Sequence, residues 1–365
     1  MTNNPEQLSI YLHWPFCRSK CPYCDFFSLV KKNINQDEII TEYIQQLKKY
    51  AEILPNKTIT SVFFGGGTPS LITPKNINKI IQTIDNLWHL SSDTEISLEA
   101  NPNTQTSSLF SDLKIAGINR LSLGVQSLND EHLKFLGRTH SSNQALNAIN
   151  NVLKIFNNHS IDLMYALPNQ TLDDWQKQLY QIINLGLKHI SLYQLTIEEN
   201  TPFYRKGIKP LDEEKAADLY IFTETELANH NYFKYEVSNY CQPNFSSRHN
   251  LAYWLGHDYI GIGQSAHGRI HKNNKFYAIT NPLQFEELTA EQRAEELIIM
   301  GLRLTEGINK NNFEQICGMN FDKFINQNFK FQAISQNLLQ ETKSFIKATP
   351  QGFLLLDYLI VGLCS

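Results

Sequence analysis

The sequence predicts an α/β protein, a partial or full (β/α) barrel followed by a small helix-rich C-terminal domain. Three observations carry this expectation. Short apolar runs recur roughly every 30 residues up to about residue 262. Stretches with helical apolar spacing separate many of them. The polar and glycine-rich residues that can carry chemistry fall at or just past the C-terminal ends of the runs, the edge where barrels of this kind build their sites.

In chain order, the expected strands are 9–14, 61–64, 95–98, 120–125, 161–166 and 189–195. Each is a short, mostly apolar run of strand length. Helical spacing marks 38–53, 75–88, 144–156, 173–185 and 213–229, and alternation of this kind makes parallel βαβ units. Two further runs, 232–237 and 259–262, extend the sheet. An open sheet wound on both faces shares the alternation. The barrel is preferred because Gly65-Gly66-Gly67-Thr68, Glu99, Gln126 and Pro168 all sit at C-terminal strand ends.

From about 282 the pattern turns helical (291–304), then polar, then reaches a turn at 348–352 ahead of an expected strand at 353–356. This winged-helix outline invites a nucleic-acid reading, but residues 283–365 carry seven Lys or Arg against ten Asp or Glu. A net negative domain does not attract phosphate. The expected division is a barrel domain over 1–235, a barrel-closing segment over 236–281 and a winged-helix-like domain over 282–365.

At 365 residues, 42% hydrophobic and 19% charged, the chain can bury a large core. Its net charge of -4 argues against nucleic acid as a main partner. The start, MTNNPEQLS, has neither a basic nor an apolar leader region, and no apolar run is long enough to span a bilayer. The expectation is a cytoplasmic protein without a transmembrane segment, with peripheral membrane contact left open. Six cysteines, three of them clustered, fit a reducing compartment and a metal site better than disulfides.

The cluster is the most informative motif: Cys17, Cys21 and Cys24 form a CxxxCxxC loop directly after the first strand. A structural zinc site and a cubane [4Fe-4S] cluster both have four positions to fill, so three thiolates leave one open. An open position usually means chemistry. The plainer alternative is structural zinc completed by His13, but no second Cys or His pair at zinc spacing accompanies the loop. The Gly65-Gly66-Gly67-Thr68-Pro69 turn follows the second strand. Without Cβ atoms it lets a ligand approach the backbone closely. It lacks the Gly-Lys-Ser/Thr ending of a nucleotide loop and the spacing of a dinucleotide fingerprint.

Tyr11, the CxxxCxxC loop with an aromatic before its last cysteine, and GGGTP together resemble the radical S-adenosylmethionine (SAM) superfamily. The resemblance implies a barrel of that type. It implies that Cys17, Cys21 and Cys24 hold three irons of a [4Fe-4S] cluster whose fourth iron is chelated by SAM. One electron from the cluster then splits the sulfonium to a 5′-deoxyadenosyl radical, while the protein supplies placement and exclusion of water. Further stretches, SLEANP (97–102), RLSLGVQS (120–127), LGRTH (136–140) and IDLMYALP (161–168), are similar to the oxygen-independent coproporphyrinogen III oxidase group. By that likeness Tyr11, Gly66, Gly67, Thr68, Glu99, Gln126, Arg138 and Asp162 line the SAM site, with Thr196 and His267 as further candidates. Arg138 can fork onto the methionyl carboxylate, and Glu99, Gln126 and Asp162 can accept from amino or ribose donors.

Two departures separate the chain from the oxidases. They carry a further cysteine two positions after the third, where this chain has Phe26, and a longer extension before the cluster. Both features resemble the HemW-type haem chaperones instead. So does Arg248-His249-Asn250-Leu251-Ala252-Tyr253-Trp254, which matches their HNxxYW motif. On a helix, His249 and Tyr253 share one face, with Asn250 and Trp254 together on a neighbouring one. An imidazole can ligate haem iron and flat rings can pack on a porphyrin, so His249, Asn250, Tyr253 and Trp254 are the expected haem contacts. His257, His267 and His271 are alternative ligands, and a structural histidine is the plainer reading of His249. The resemblance implies a carrier that passes haem to a recipient haemoprotein, with an electron donor for the cluster. The competing reading is an oxidase that decarboxylates coproporphyrinogen III.

Overall fold

The computed structural model describes residues 6–102 and 107–364. Its strands in chain order begin with β1 (Gln7–Trp14), the short β2 (Phe16–Cys17) and β3 (Leu29–Val30), β4 (Thr58–Gly66), β5 (Glu95–Ala100), β6 (Arg120–Gln126), β7 (Asn158–Tyr165) and β8 (His189–Gln194). β9 (Phe233–Glu236), β10 (Asn239–Cys241), β11 (Tyr259–Ile262), β12 (Gly268–Lys272), β13 (Lys275–Asn281) and β14 (Gln284–Leu288) follow. One sheet runs β14-β13-β12-β11-β1-β4-β5-β6-β7-β8-β10-β9. From β11 to β8 all neighbours are parallel, and the strands added at either end are antiparallel. The sheet keeps two edges, β9 and β14, so the barrel is partial.

The alternation of side chains explains why the sheet curves round a lumen. Tyr11 of β1 and its counterparts on the next strands, Phe63, Glu99, Ser122, Asp162, Ser191 and Tyr193, line one shared cavity. Their immediate neighbours, including Ile10, Leu12, Val62, Phe64, Leu98, Leu121, Leu123, Ile161, Leu163 and Ile190, are buried in one apolar core, as the two-residue period of a strand requires. Each such side chain contributes on the order of 1.5–3 kcal/mol by leaving water. Helices Gln36–Ile53, Pro74–Trp88, Ser142–Ile155, Leu172–Ile183 and Glu213–Asn229 supply the opposing layer. Local signals start them: Ser141 with Gln144 and Thr171 with Asp174 form capping boxes, and Thr73 caps a helix that has Pro74 at its first position.

The helix Arg248–Trp254 lies against the start of the lumen. Ser247 Oγ accepts from Asn250 N at 3.3 Å, and the Glu95 carboxylate accepts from the backbone N–H of Arg248 (3.2 Å) and His249 (3.3 Å). A carboxylate at this end complements the positive pole of the helix. Glu95 opens β5, so the helix plugs the barrel at the N-terminal end of its strands.

A second core begins with the helix Ala290–Gly301. β14 still pairs with β13, so the boundary expected at 282 falls inside the large sheet, and the one expected at 235 falls inside β9. The small domain carries β15 (Ile308–Asn309), β16 (Leu339–Glu341) and β17 (Phe345–Ala348), ordered β15-β17-β16. The strand expected at 353–356 is not formed. Pro350–Phe353 and Leu356–Cys364 are helices instead. Thr349 caps the first, accepting from Gly352 N at 2.9 Å, and Leu356, Leu359, Ile360 and Leu363, all buried, have the spacing of one helical face. Among the described residues no helix is long and apolar enough to cross a membrane.

Candidate functional site

The cysteine loop leaves β1 at the C-terminal edge and is held on several sides. β2 pairs in parallel with β3, and Leu29 N donates to Pro15 O at 2.6 Å. The glycine turn after β4 is stitched under the loop by Gly67 N to Trp14 O (2.7 Å) and Thr68 N to Phe16 O (2.9 Å). The approach is close enough to demand glycine: a Cβ on Gly67 would stand 2.7 Å from Phe16 O and 3.0 Å from Cys17 Sγ. Gly66 has φ +109°, and its Cβ would stand 2.8 Å from the His13 ring.

Cys17, Cys21 and Cys24 are free thiols that line one cavity of about 360 Å³. Gly66, Gly67, Thr68, Glu99, Gln126, Arg138, Asp162 and Thr196 line the same cavity. Two of the expected residues lie elsewhere. Tyr11 faces the adjoining lumen, where its hydroxyl meets His13 Nδ1 at 3.0 Å. His267 is exposed on the turn after β11, outside both cavities. Sequence reasoning missed Asn101, Gly124 and Tyr193, which also line the site. Asn101 stood within the quoted SLEANP stretch and marks the end of β5, a signal that was available.

Arg138 is not a free fork. Its Nη2 donates to Asn101 Oδ1 (2.5 Å) and to Gly124 O (2.7 Å), and its Nη1 to Cys21 Sγ (3.5 Å). The guanidinium is thereby fixed against the cluster loop. Gln126 has φ 69° and follows an irregularity in the β6–β7 register, which re-aims the strand end towards the cavity.

Burial raises both acids of the site. Burial, reinforced by the nearby Asp162 charge, pushes the Glu99 carboxyl up to about 8, although Gly66 N donates to it at 3.2 Å. Burial also raises Asp162, against hydroxyl donors that include Ser122 at 3.0 Å. A cationic ligand beside them favours their charged forms. Burial likewise raises the Cys24 thiol.

The donor set fits a polynuclear cluster better than a single ion. Three separate thiols line one cavity, and in a cubane each thiolate takes a different iron. The zinc alternative through His13 fails on geometry, because both its ring nitrogens are engaged, Nδ1 by Tyr11 and Nε2 by Phe27 O at 2.9 Å.

The HNxxYW stretch turns its side chains two ways, and Asn250 and Trp254, expected together, are parted. His249, Asn250 and Tyr253 line the lumen below the cluster cavity, while Trp254 faces the other way, towards the small domain. His249 is 1% exposed. Its Nδ1 meets Ser61 Oγ at 2.8 Å and its Nε2 meets Tyr253 OH at 2.8 Å, and its ring stacks on Phe63 at 4.8 Å between centroids. Burial pushes its pKa down to about 3, so the imidazole is neutral. In this arrangement neither nitrogen is free for iron.

Comparison with known proteins identifies the family. Residues 11–179 match the model of the radical SAM superfamily, and residues 288–355 match that of the HemN C-terminal domain. The heme chaperone HemW of Buchnera aphidicola subsp. Schizaphis graminum is 35% identical over 97% of this chain and 97% of its own. The heme chaperone HemW of Haemophilus influenzae is 36% identical, again over 97% of both chains. Among solved structures, the coproporphyrinogen III oxidase HemN from Escherichia coli, described as a radical SAM enzyme, superposes with a TM-score of 0.83 at 20% identity, covering 100% of this chain and 91% of the other. At that identity the likeness speaks for the fold alone.

Proposed function

This chain belongs to the radical SAM superfamily and, within it, to the family of the haem chaperone HemW, and from that premise we propose how its site serves haem transfer. The protein binds haem and passes it to recipient haemoproteins, with a [4Fe-4S] cluster and SAM as cofactors. Cys17, Cys21 and Cys24 hold the cluster, and Gly66, Gly67 and Thr68 let SAM lie against backbone. When bound, the cluster supplies an electron to the sulfonium of SAM. Glu99 and Asp162 meet the cationic parts of SAM, which favours their charged carboxylates. Arg138 holds the cluster loop to the ends of β5 and β6, which shields the site from water.

The observation that carries the chaperone reading over the oxidase is Phe26. It stands at the position of the oxidases' additional cysteine, lines both the cluster cavity and the lumen, and is 65% exposed. The lumen below is about 230 Å³, smaller than the roughly 300 Å³ at which sites for drug-sized ligands begin. We place the protein in the cytoplasm, where thiols such as its six free cysteines stay reduced, and take an electron donor for the cluster as a further partner.

The test is to titrate haem into the anaerobically reconstituted protein, follow the Soret band, and then add a haem-free haemoprotein. Saturable binding followed by transfer is the expected result. Absence of specific binding, with decarboxylation of coproporphyrinogen III under reducing conditions, overturns the chaperone reading in favour of the oxidase.

A further inference from the structure

The outer lip of the cysteine loop exposes apolar side chains that nothing in the fold covers. Phe26 is 65% exposed, Val30 59%, Leu29 46% and Phe27 36%. Four such residues within one short loop make a patch rather than scattered exposure, and patches rimmed by polar residues mark interaction sites. The rim here is basic. Residues 16–33 carry four Lys or Arg (Arg18, Lys20, Lys31, Lys32) against one acid (Asp25), in a chain whose net charge is -4. Lys31 and Lys32 directly follow the apolar pair of β3 and are exposed.

A histidine stands beside this patch. β11 runs parallel to β1 with Ile262 opposite Leu12, so the turn after β11 emerges next to the loop after β1. A Cβ on Gly263 of that turn would stand 2.6 Å from His13 O. His13 in turn contacts Phe27, whose carbonyl accepts from Nε2 at 2.9 Å. His267 ends the turn. Of the described histidines only His89, His230 and His267 are exposed. His89 ends the helix Pro74–Trp88 and His230 ends the helix Glu213–Asn229, before β5 and β9 respectively, which leaves His267 as the exposed imidazole at the cluster edge.

A flat apolar ligand with two carboxylates and a metal centre matches this set of groups. We propose that haem docks on the lip, with one face of its macrocycle over Phe26 and Phe27, its propionates towards Lys31 and Lys32, and its iron taken by His267. The inference rests on the haem-chaperone reading and moves the cargo from the buried HNxxYW stretch to the mouth of the cluster cavity. Stacking on aromatic rings and pairing with ammonium groups are the interactions such a ligand needs, and imidazole is one of the side chains that hold haem iron.

The experiment titrates haem into the reconstituted wild type, Phe26→Asp, Lys31→Glu with Lys32→Glu, and His267→Ala, each first checked for cluster absorption and melting temperature. All the altered side chains are exposed, so the fold is not at stake. The expected result is affinity lowered about tenfold by Phe26→Asp and by the lysine pair, and a shifted Soret band for His267→Ala. If wild type binds haem and all three variants match it in affinity and spectrum, the location is overturned while the chaperone reading stands. Failure of the wild type to bind haem at all removes the chaperone reading and this inference with it. Co-sedimentation of wild type but not Phe26→Asp with anionic phospholipid vesicles, alongside coincident haem titrations, would overturn the proposal by making the lip a membrane contact.

Discussion

Ser61 Oγ and His249 Nδ1 lie 2.8 Å apart, although 188 residues separate them in the chain. The bond ties the middle of β4 to the helix that plugs the barrel, and the wall of the lumen thereby extends down to the HNxxYW motif. Ser9 continues the same chain of contacts through Ser61 at 2.9 Å. A lumen lined by Ser, Asp, Arg and His in place of branched apolar residues is an open working space, floored by His249 and Tyr253 and roofed by the cluster loop.

The three loop thiols should each be needed for the cluster. Cys17→Ala, Cys21→Ala and Cys24→Ala should each abolish the broad visible absorption of the anaerobically reconstituted protein, because each removes one iron ligand. Retention of that absorption in all three would sink the assignment. Cys241→Ala and Cys317→Ala, both buried outside the cavity, should leave the absorption intact.

Gly67→Ala tests the closeness of the glycine turn without removing a ligand. The new methyl meets Phe16 O and Cys17 Sγ at 2.7 and 3.0 Å, so the cysteine strand must shift. Iron content after reconstitution should fall by half or more while far-ultraviolet circular dichroism is unchanged, a cost on the order of 1–3 kcal/mol. Full iron loading would show that the loop gives way freely.

The parallel sheet was legible because its strands read as short apolar runs at nearly even spacing, and the site residues because they sit at strand ends. The orientation of the HNxxYW helix was not. A seven-residue helix says which residues share a face, but only the Glu95 carboxylate, held 153 and 154 residues away in sequence, says which way that face turns. The C-terminal end was misread for a local reason: Phe353 to Leu356 is apolar enough for a strand, and the cap at Thr349 that starts a helix was read as a turn. Asn101 was passed over because its partner, Arg138, is remote in sequence and the side-chain bond between them has no local signature.

Arg138 should act through the loop as well as through SAM. Arg138→Lys keeps the charge and loses the planar fork that reaches Asn101, Gly124 and Cys21 together. SAM affinity measured by calorimetry should fall about tenfold to a hundredfold, and reconstituted iron should become easier to remove with chelator. Unchanged affinity would take Arg138 out of the cofactor site.

Glu99 gives the cofactor-free protein a pH dependence of definite sign. Its folded pKa, raised from 4.5 to about 8 by burial, means that the native state holds the proton more tightly. The group's contribution to stability is therefore present below about pH 4.5 and lost as pH rises through about 8. Melting temperature of the wild type should fall across this window more than that of Glu99→Gln, and saturating SAM should flatten the difference by supplying a cation to the carboxylate. Parallel curves for the two proteins without SAM would mean that Glu99 is already ionised.

His249→Ala should cost stability whether or not haem is present. The substitution takes one partner from the Ser61 and Tyr253 hydroxyls, removes a ring stacked on Phe63, and opens space in a site that is 1% exposed. Lost packing and unpaired polar groups together amount to about 2–5 kcal/mol, read as a lower denaturation midpoint of the haem-free protein. The acid limb separates this from a haem effect. With the folded pKa pushed from 6.5 down to about 3, the stability His249 contributes is present above about 6.5 and is lost as pH falls towards 3. The variant should lack that part of the acid loss. Equal midpoints and equal acid limbs would show that the imidazole is not held as placed, and would return it to the pool of haem ligands.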